Sequence, residues 1–323
     1  MSLKCVPFSS MYEKTWNELV CGSNHTILST WGFLGYHNDR FEDQSVVFVD
    51  SESGYVQAVL PAAKHPRENE LVVSHPGATF GGIIQRRIRP FQYSEYLQLA
   101  LAHYGGEGFK TLRIKPPPAF VGQQADETAT HHALRHATLS NCDLWTYLQL
   151  GRAYTLREKN YDIRKAEKAG VTCRPANTKP DWASFHGILR SNLLDRHKTT
   201  PVHELDELLD LDERLGSHSK LMIAETANKA ICAGIWLLDY GNGVVHTQYI
   251  CSTPEGRAMR AVDLLLADAI NTASAQAYTI FSIGHCSNSD GWDINPTLLA
   301  YKLKFGLGVG LAYTFDFSTR ERG

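Results

Sequence analysis

Histidine is the residue type here best suited to moving protons near neutrality. The chain of 323 residues carries 14 of them. His246 falls in Val244 to Ile250, a run rich in β-branched and aromatic residues that reads as a strand. Strand alternation then puts His246, Gln248 and Ile250 on one face and Tyr249 on the other. On such a face His246 serves either as a general base or as a hydrogen-bonded structural residue. His285 follows the next apolar run, Tyr278 to Ile283, at the end of a strand where open α/β sheets place ligands. His197 and His203 follow a helical stretch, and either suits the same cleft. With 14 histidines, some fall near any cleft by chance.

The elements that must position these residues are punctuated clearly. Ser252-Thr253-Pro254-Glu255-Gly256 ends the strand, since Pro lacks a donor and Gly relaxes the backbone. From Arg257 onward Ala261, Leu264, Leu265, Ala269 and Ile270 recur at helical spacing. A helix launched from such a turn offers unpaired N–H groups to a phosphate or pyrophosphate; the alternative is an ordinary turn. Pro296 to Phe305 reads as a further helix and Val309 to Phe315 as a strand. Upstream, His75-Pro76-Gly77-Ala78-Thr79-Phe80-Gly81-Gly82 is either a surface loop or a segment whose glycines, Gly77 and Gly81 among them, let amides approach a ligand. It precedes a helix (Tyr93 to His103), a strand (Lys110 to Lys115) and a helix (Asp126 to His136), an order repeated in the C-terminal half. Arg157 to Val171, REKNYDIRKAEKAGV, reads as a basic helix. It is either a solvated, salt-bridged face or an anion site with Lys159 and Arg164 at its mouth.

Strand, phosphate-type turn, helix, strand, helix, strand resembles the second half of the GNAT acyltransferase fold. The GNAT turn reads Gln or Arg, two residues, Gly, one residue, then Gly or Ala. Thr253 to Ala258 keeps Gly256 and Ala258 and lacks the leading Gln or Arg. A narrower resemblance is to the Fem-like tandem-GNAT branch. It rests on Ile283 to Asn288, Gly291-Trp292-Asp293-Ile294-Asn295, Lys302-Leu303-Lys304-Phe305-Gly306, the basic helix, Asn192 to His203 and the Ser74 to Gly82 segment, and it covers nearly all of the chain. It implies an α/β (α+β) protein of two GNAT-like domains, each a mixed, largely antiparallel sheet flanked by helices, cut at 1–150 and 151–323.

The resemblance also implies roles. Ile250, Ser252, Gly256, Arg257 and Ala258 would hold acetyl-CoA or another acyl-CoA as co-substrate, without a metal. Tyr301 compares with the leaving-group acid of many GNAT enzymes. His75, Gly77, Gly81, Lys159, Arg164, His197, His203 and Gln248 fall on the acceptor side or cleft mouth. The implied reaction is N-acyl transfer to an amine on a sugar nucleotide, cell-envelope glycan or peptidoglycan precursor. Aminoacyl-tRNA is the alternative donor, and a non-catalytic scaffold the alternative role.

Bulk properties narrow the field. The formal net charge is −2, from 32 basic and 34 acidic residues, so no global field draws the chain to tRNA phosphates. No apolar run reaches the ~18 residues needed to cross a bilayer. Seven scattered cysteines without a Cys-x-x-Cys pair suggest reduced thiols in a cytoplasm. His-Glu-x-x-His, Gly-x-Ser-x-Gly and Walker-type motifs are absent, which removes the support for a zinc hydrolase, a serine hydrolase or a P-loop enzyme.

Overall fold

The computed structural model describes residues 2–37, 40–122, 124–151, 154–176, 178–288 and 292–320. The side chains of Arg196 and His197 lie outside it, and so does Gly291. Compactness groups the chain into two units. The first is Met1–Leu144 with Ser287–Asp293 and Gly310–Gly323; the second is Trp145–Cys286 with Ile294–Val309. A single cut at 150 was the expectation.

In the first unit β1 (Leu3–Pro7), β2 (Val46–Asp50) and β3 (Val56–Leu60) form an antiparallel meander. Helices α1 (Glu13–Cys21) and α2 (Trp31–Leu34) lie between β1 and β2 in the chain. Strand β1 escaped sequence reading because LKCVP is short and ends in Pro, which only an edge strand tolerates. The short strands β4 (Ala63–Lys64) and β5 (Leu71–Val73) pair with each other, and β6 (Ile84–Gln85) pairs with β3. Helix α3 (Pro90–Gly106) opens on a Pro, whose missing N–H costs nothing at a helix start. It buries Tyr93, Tyr96, Leu97, Ala100 and Tyr104, a stripe at helical spacing. After it comes β7 (Thr111–Ile114), parallel to β5, and then α4 (Thr128–His136).

Strand β8 (Thr138–Gln149) runs unbroken through Asn141-Cys142-Asp143, polar residues that suit a turn. Its residues from Trp145 onward belong to the second unit.

The second unit begins with α5 (Asn160–Lys168), β9 (Thr172–Ala176), α6 (Lys179–His197) and α7 (Leu205–Leu215). Strands β10 (Ser219–Glu225), β11 (Ile231–Asp239) and β12 (Val244–Ser252) extend β9 into a four-stranded antiparallel meander. The last two turns carry the Asn and Gly that tight hairpins require. A short helix α8 (Pro254–Ala258) and the long α9 (Ala261–Ala275) lead to β13 (Ile280–His285), parallel to β12 and antiparallel to β8. Then come α10 (Pro296–Leu303) and β14 (Gly308–Ser318). Helix α9 packs with Ala233, Ile235 and Val245 in one core. On the opposite face Phe185 of α6 fills the space a side chain at Gly234 would need.

Candidate functional site

Strands β12 and β13 are paired over only three positions, Val244↔Ile280, Val245↔Phe281 and His246↔Ser282. Beyond these they part, and each strand carries a bulge there. Register against β11 passes from Tyr249↔Trp236 to Thr247↔Leu237, leaving Gln248 as the extra residue. Register against β8 passes from Ser282↔Tyr147 to Gly284↔Thr146, leaving Ile283 extra, and Gly284 has φ 72°. The Gln248 bulge corrects the expected face assignment. His246 lies opposite Leu238 and Tyr249 opposite Trp236, so these two share a face, while Ile250, opposite Ile235, points to the other.

The Lys302 ammonium caps the freed end of β13. Its Nζ donates to the carbonyls of Ile283 (2.6 Å), Gly284 (3.2 Å) and His285 (2.8 Å), standing in for a strand partner. Burial lowers its pKa.

The parting opens a cavity of about 600 Å³. Its walls are Ile250, Cys251 and Ser252 of β12, Ile283 of β13, Arg257, Arg260, Val262 and Asp263 at the turn and first helical residues, and Thr297, Leu298, Tyr301 and Lys302 of α10. Of the expected donor residues, Ile250, Ser252 and Arg257 line it, with Tyr301 facing them; Gly256 and Ala258 are not among its lining residues.

The turn is built differently from its sequence reading. The helix expected to run on from Arg257 is broken at Arg260, whose φ is 65°, and α9 starts after it. Gly256 N–H is already capped by the Thr253 hydroxyl at 3.0 Å. A Cβ on Gly256 would lie 2.2 Å from the Cys232 carbonyl oxygen, so this glycine serves close packing on β11. Ser252 is likewise occupied: its N–H donates to Asn192 Oδ1 (3.0 Å), and its carbonyl accepts from Asn192 Nδ2 (2.8 Å) and Arg257 Nη1 (2.7 Å). Read four residues later, the turn has Arg257 as its leading Arg, but Arg260, in the left-handed conformation, stands where the pattern has Gly, and Val262 where it has Gly or Ala.

Lys159 is a correction. It is 1% exposed, and its Nζ lies 2.5 Å from Asp263 and 3.3 Å from Asp162 and over the rings of Tyr301 and Phe305. Asp162 also pairs with Arg260 at 3.3 Å. The basic helix thus ties the start of α9 to α10 through one buried ion pair, and Arg164 stays exposed on its outer face. Tyr301 has its pKa raised, by burial first and then by the nearby charge of Asp263.

The histidines are dispersed. His246, 5% exposed, is hydrogen-bonded to Ser282 Oγ at 3.1 Å and stacks on Tyr240, with Trp145 5.3 Å away. Burial, then Lys302 and His285, push its pKa down to about 3, so it is a neutral imidazole at neutrality. His203 is buried, hydrogen-bonded to the Tyr249 hydroxyl at 2.7 Å and set edge-on to Trp236. His285 is exposed at the freed end of β13. None of the three lines the cavity, nor does Gln248.

In the first unit the glycines of the His75 loop approach protein rather than solvent. A Cβ on Gly77 would meet the His37 ring at 2.3 Å, and one on Gly81 the Ser74 carbonyl oxygen at 2.1 Å. His75 is buried with φ 62°, and burial, His37 and Lys115 push its pKa down to about 3.

Sequence reasoning did not assign roles to Lys302, Asn192, Asp263 or Arg260. Lys302 and Asn192 sit in segments that carried the family resemblance, which was the available signal.

Solved structures share this arrangement along the whole chain. The crystal structure of FemX superposes with a TM-score of 0.70 at 11% identity, covering 98% of this chain and 97% of that one. L-PGS from Bacillus licheniformis gives 0.61 at 14% identity, with 98% and 93% covered. A tandem GNAT protein from the clavulanic acid biosynthesis pathway gives 0.57 at 12%, with both chains fully covered. The chain has a Fem-like tandem GNAT fold. No protein-family model and no curated protein matches its sequence. Within this tandem GNAT fold the described residues include no helix long and apolar enough to cross a membrane, and no group of three or more His, Cys, Asp or Glu side chains placed to hold a metal ion.

Proposed function

We propose that the protein is an N-acyltransferase that takes its acyl donor into the cavity of the second unit and passes the acyl group to an amine of a cell-envelope glycan, sugar-nucleotide or peptidoglycan precursor. The observation that carries this reading is the parting of two parallel strands beside a helix start. At about 600 Å³ the cavity is of the size small-molecule sites take, with apolar walls for a chain and two arginines for an anion. Acyl-CoA fits that pairing of features, with Arg257, Arg260 and the α9 N-terminus toward its phosphates.

Proton handling follows from the side chains. His246, neutral and walled off, is too weak a base to draw a proton from an ammonium, so the amine must arrive deprotonated or lose its proton to water. Tyr301 holds its proton more tightly than a free thiol does, so it would stabilise a departing thiolate by hydrogen bonding rather than by proton transfer.

The same tyrosine favours a second reading. An alkoxide leaving group is basic enough to take its proton, and the amides of Ser252 and Gly256 are already bonded. Both points suit an aminoacyl ester of tRNA. The test offers the protein acetyl-CoA and, separately, aminoacyl-tRNA with a panel of amino sugars and peptidoglycan precursors. Amine-dependent release of free coenzyme A supports the first reading, and transfer from aminoacyl-tRNA alone supports the second. Transfer from neither donor overturns both and leaves the scaffold role.

A further inference from the structure

The first unit contains a small cavity that the transfer reading does not use. It measures about 60 Å³ and is lined by Ile83 and Pro116 to Pro118 on its apolar side and by Ser23, Asn24, His25, Gln85, Tyr93 and Asp126 on its polar side, the Ser23 hydroxyl and the Asn24 amide N–H already donating to the Val20 and Gln124 carbonyls. That is room for one small polar group, or for roughly two waters at ~30 Å³ each.

Three of these side chains carry buried polar atoms with no hydrogen-bond partner among the described residues: His25 Nε2, Gln85 Oε1 and Tyr93 Oη. Tyr93 is 3% exposed. Folded proteins leave few such atoms unpaired, because each forfeits the hydrogen bond it would make in water. Three around one cavity therefore point to an occupant.

The lining is rich in acceptors. The amide oxygen of Gln85 can only accept. His25 is held neutral, burial pushing its pKa down to about 4, and its Nδ1 is engaged with Ser29 Oγ at 3.1 Å. With the proton on Nδ1, Nε2 presents a lone pair. The Tyr93 phenol is kept protonated by burial and by Asp126, and its oxygen retains lone pairs. Asp126 adds a carboxylate, one oxygen of which takes the Thr128 N–H at 2.9 Å where α4 begins. Several acceptors, a carboxylate and no cation among the lining residues call for a compact, positively charged, multiple donor.

We infer that this cavity binds the ammonium group of a small primary amine. Three N–H bonds at one charged centre match the Gln85 amide oxygen, the Tyr93 phenol oxygen and, in the Nδ1–H tautomer, His25 Nε2, and the apolar side excludes competing water. The inference does not rest on the transfer reaction.

The test titrates the intact protein with ethanolamine and, as control, with choline, which keeps the hydroxyl and the charge but has no N–H. Binding is followed by calorimetry and by the histidine ring signals in NMR. The expected result is saturable ethanolamine binding, little or none for choline, and about tenfold weaker ethanolamine binding in Tyr93→Phe. That variant keeps the ring stacked on His132 and should melt at nearly the parent temperature. Gln85→Met provides a second, near-isosteric loss of an acceptor and should weaken binding similarly. Absence of saturable ethanolamine binding, equal binding of choline, or a crystal grown with ethanolamine that shows only water in the cavity would overturn the inference.

Discussion

At the scale of the residue, environment outweighs type. Lys159 belongs to a helix so rich in Lys and Arg that its side chain reads as part of a solvated face or of an anion site, yet it is enclosed with Asp263. No single-residue signal distinguishes it from Lys165 or Lys168, because burial is decided by what α9 and α10 bring to it. Lys159→Met leaves Asp263 buried without its cation and should cost about 3–5 kcal/mol. Arg164→Ala, on the exposed face of the same helix, should stay within about 0.5 kcal/mol. Urea unfolding of the two variants side by side measures the contrast. Histidine tells the same story: a strand position beside a glycine turn made His246 legible as a candidate base, and burial makes it a neutral one. His75 and His246 each titrate near 3 when folded. The unfolded chain, with its histidines near ~6.5, therefore binds more protons in between, so stability is full above that pH and is lost as pH falls toward 3. Each histidine adds up to about 1.4 kcal/mol per pH unit to that loss. His246→Gln should flatten the fall in urea midpoint between pH 7 and pH 5, and an unchanged slope would contradict its burial as a neutral ring.

At the scale of the element, much of the second unit was legible. The hairpin turns carry their Asn and Gly, and the apolar spacing of α9 is that of a helix against a sheet. Two features were not. A bulge leaves no mark in a run such as VVHTQYICS, where alternation looks unbroken, and so the shared face of His246 and Tyr249 could be found only from register. A left-handed residue is legible when it is Gly and hidden when it is Arg260. Gly256, the glycine that attracted attention, is spent on packing against Cys232. Gly256→Ala should therefore destabilise by about 1–3 kcal/mol through overpacking, which a thermal melt would register before any donor is added. Arg260→Gly relieves a backbone cost of about 1 kcal/mol while losing a half-exposed pair with Asp162, so its stability should change little. Its affinity for an anionic donor should fall all the same.

At the scale of the whole molecule, the tandem order was readable because each half repeats parallel strands joined through a helix: β5, α3, β7 and β12, α9, β13. The path of the last strand was not, since nothing local tells Val309 to Phe315 which unit it will serve. Residues from Gly310 return to the first unit, where Phe315 and Phe317, each 1% exposed, pair opposite Ile114 and Leu112. Burying each phenylalanine is worth about 1.5–3 kcal/mol. A chain ending at Val309 should lose hydrogen-exchange protection in β7 and α3, elements of the first unit distant in sequence from the cut.

The central claim is that the parted strands of the second unit hold the acyl donor. Its most direct test is calorimetric titration of acetyl-CoA into the protein and into Ile250→Trp, which fills the cavity from β12. The expected result is saturable binding, one donor per chain, that disappears in the folded variant. Absence of heat from the parent protein, or equal affinity in Ile250→Trp, would contradict the claim.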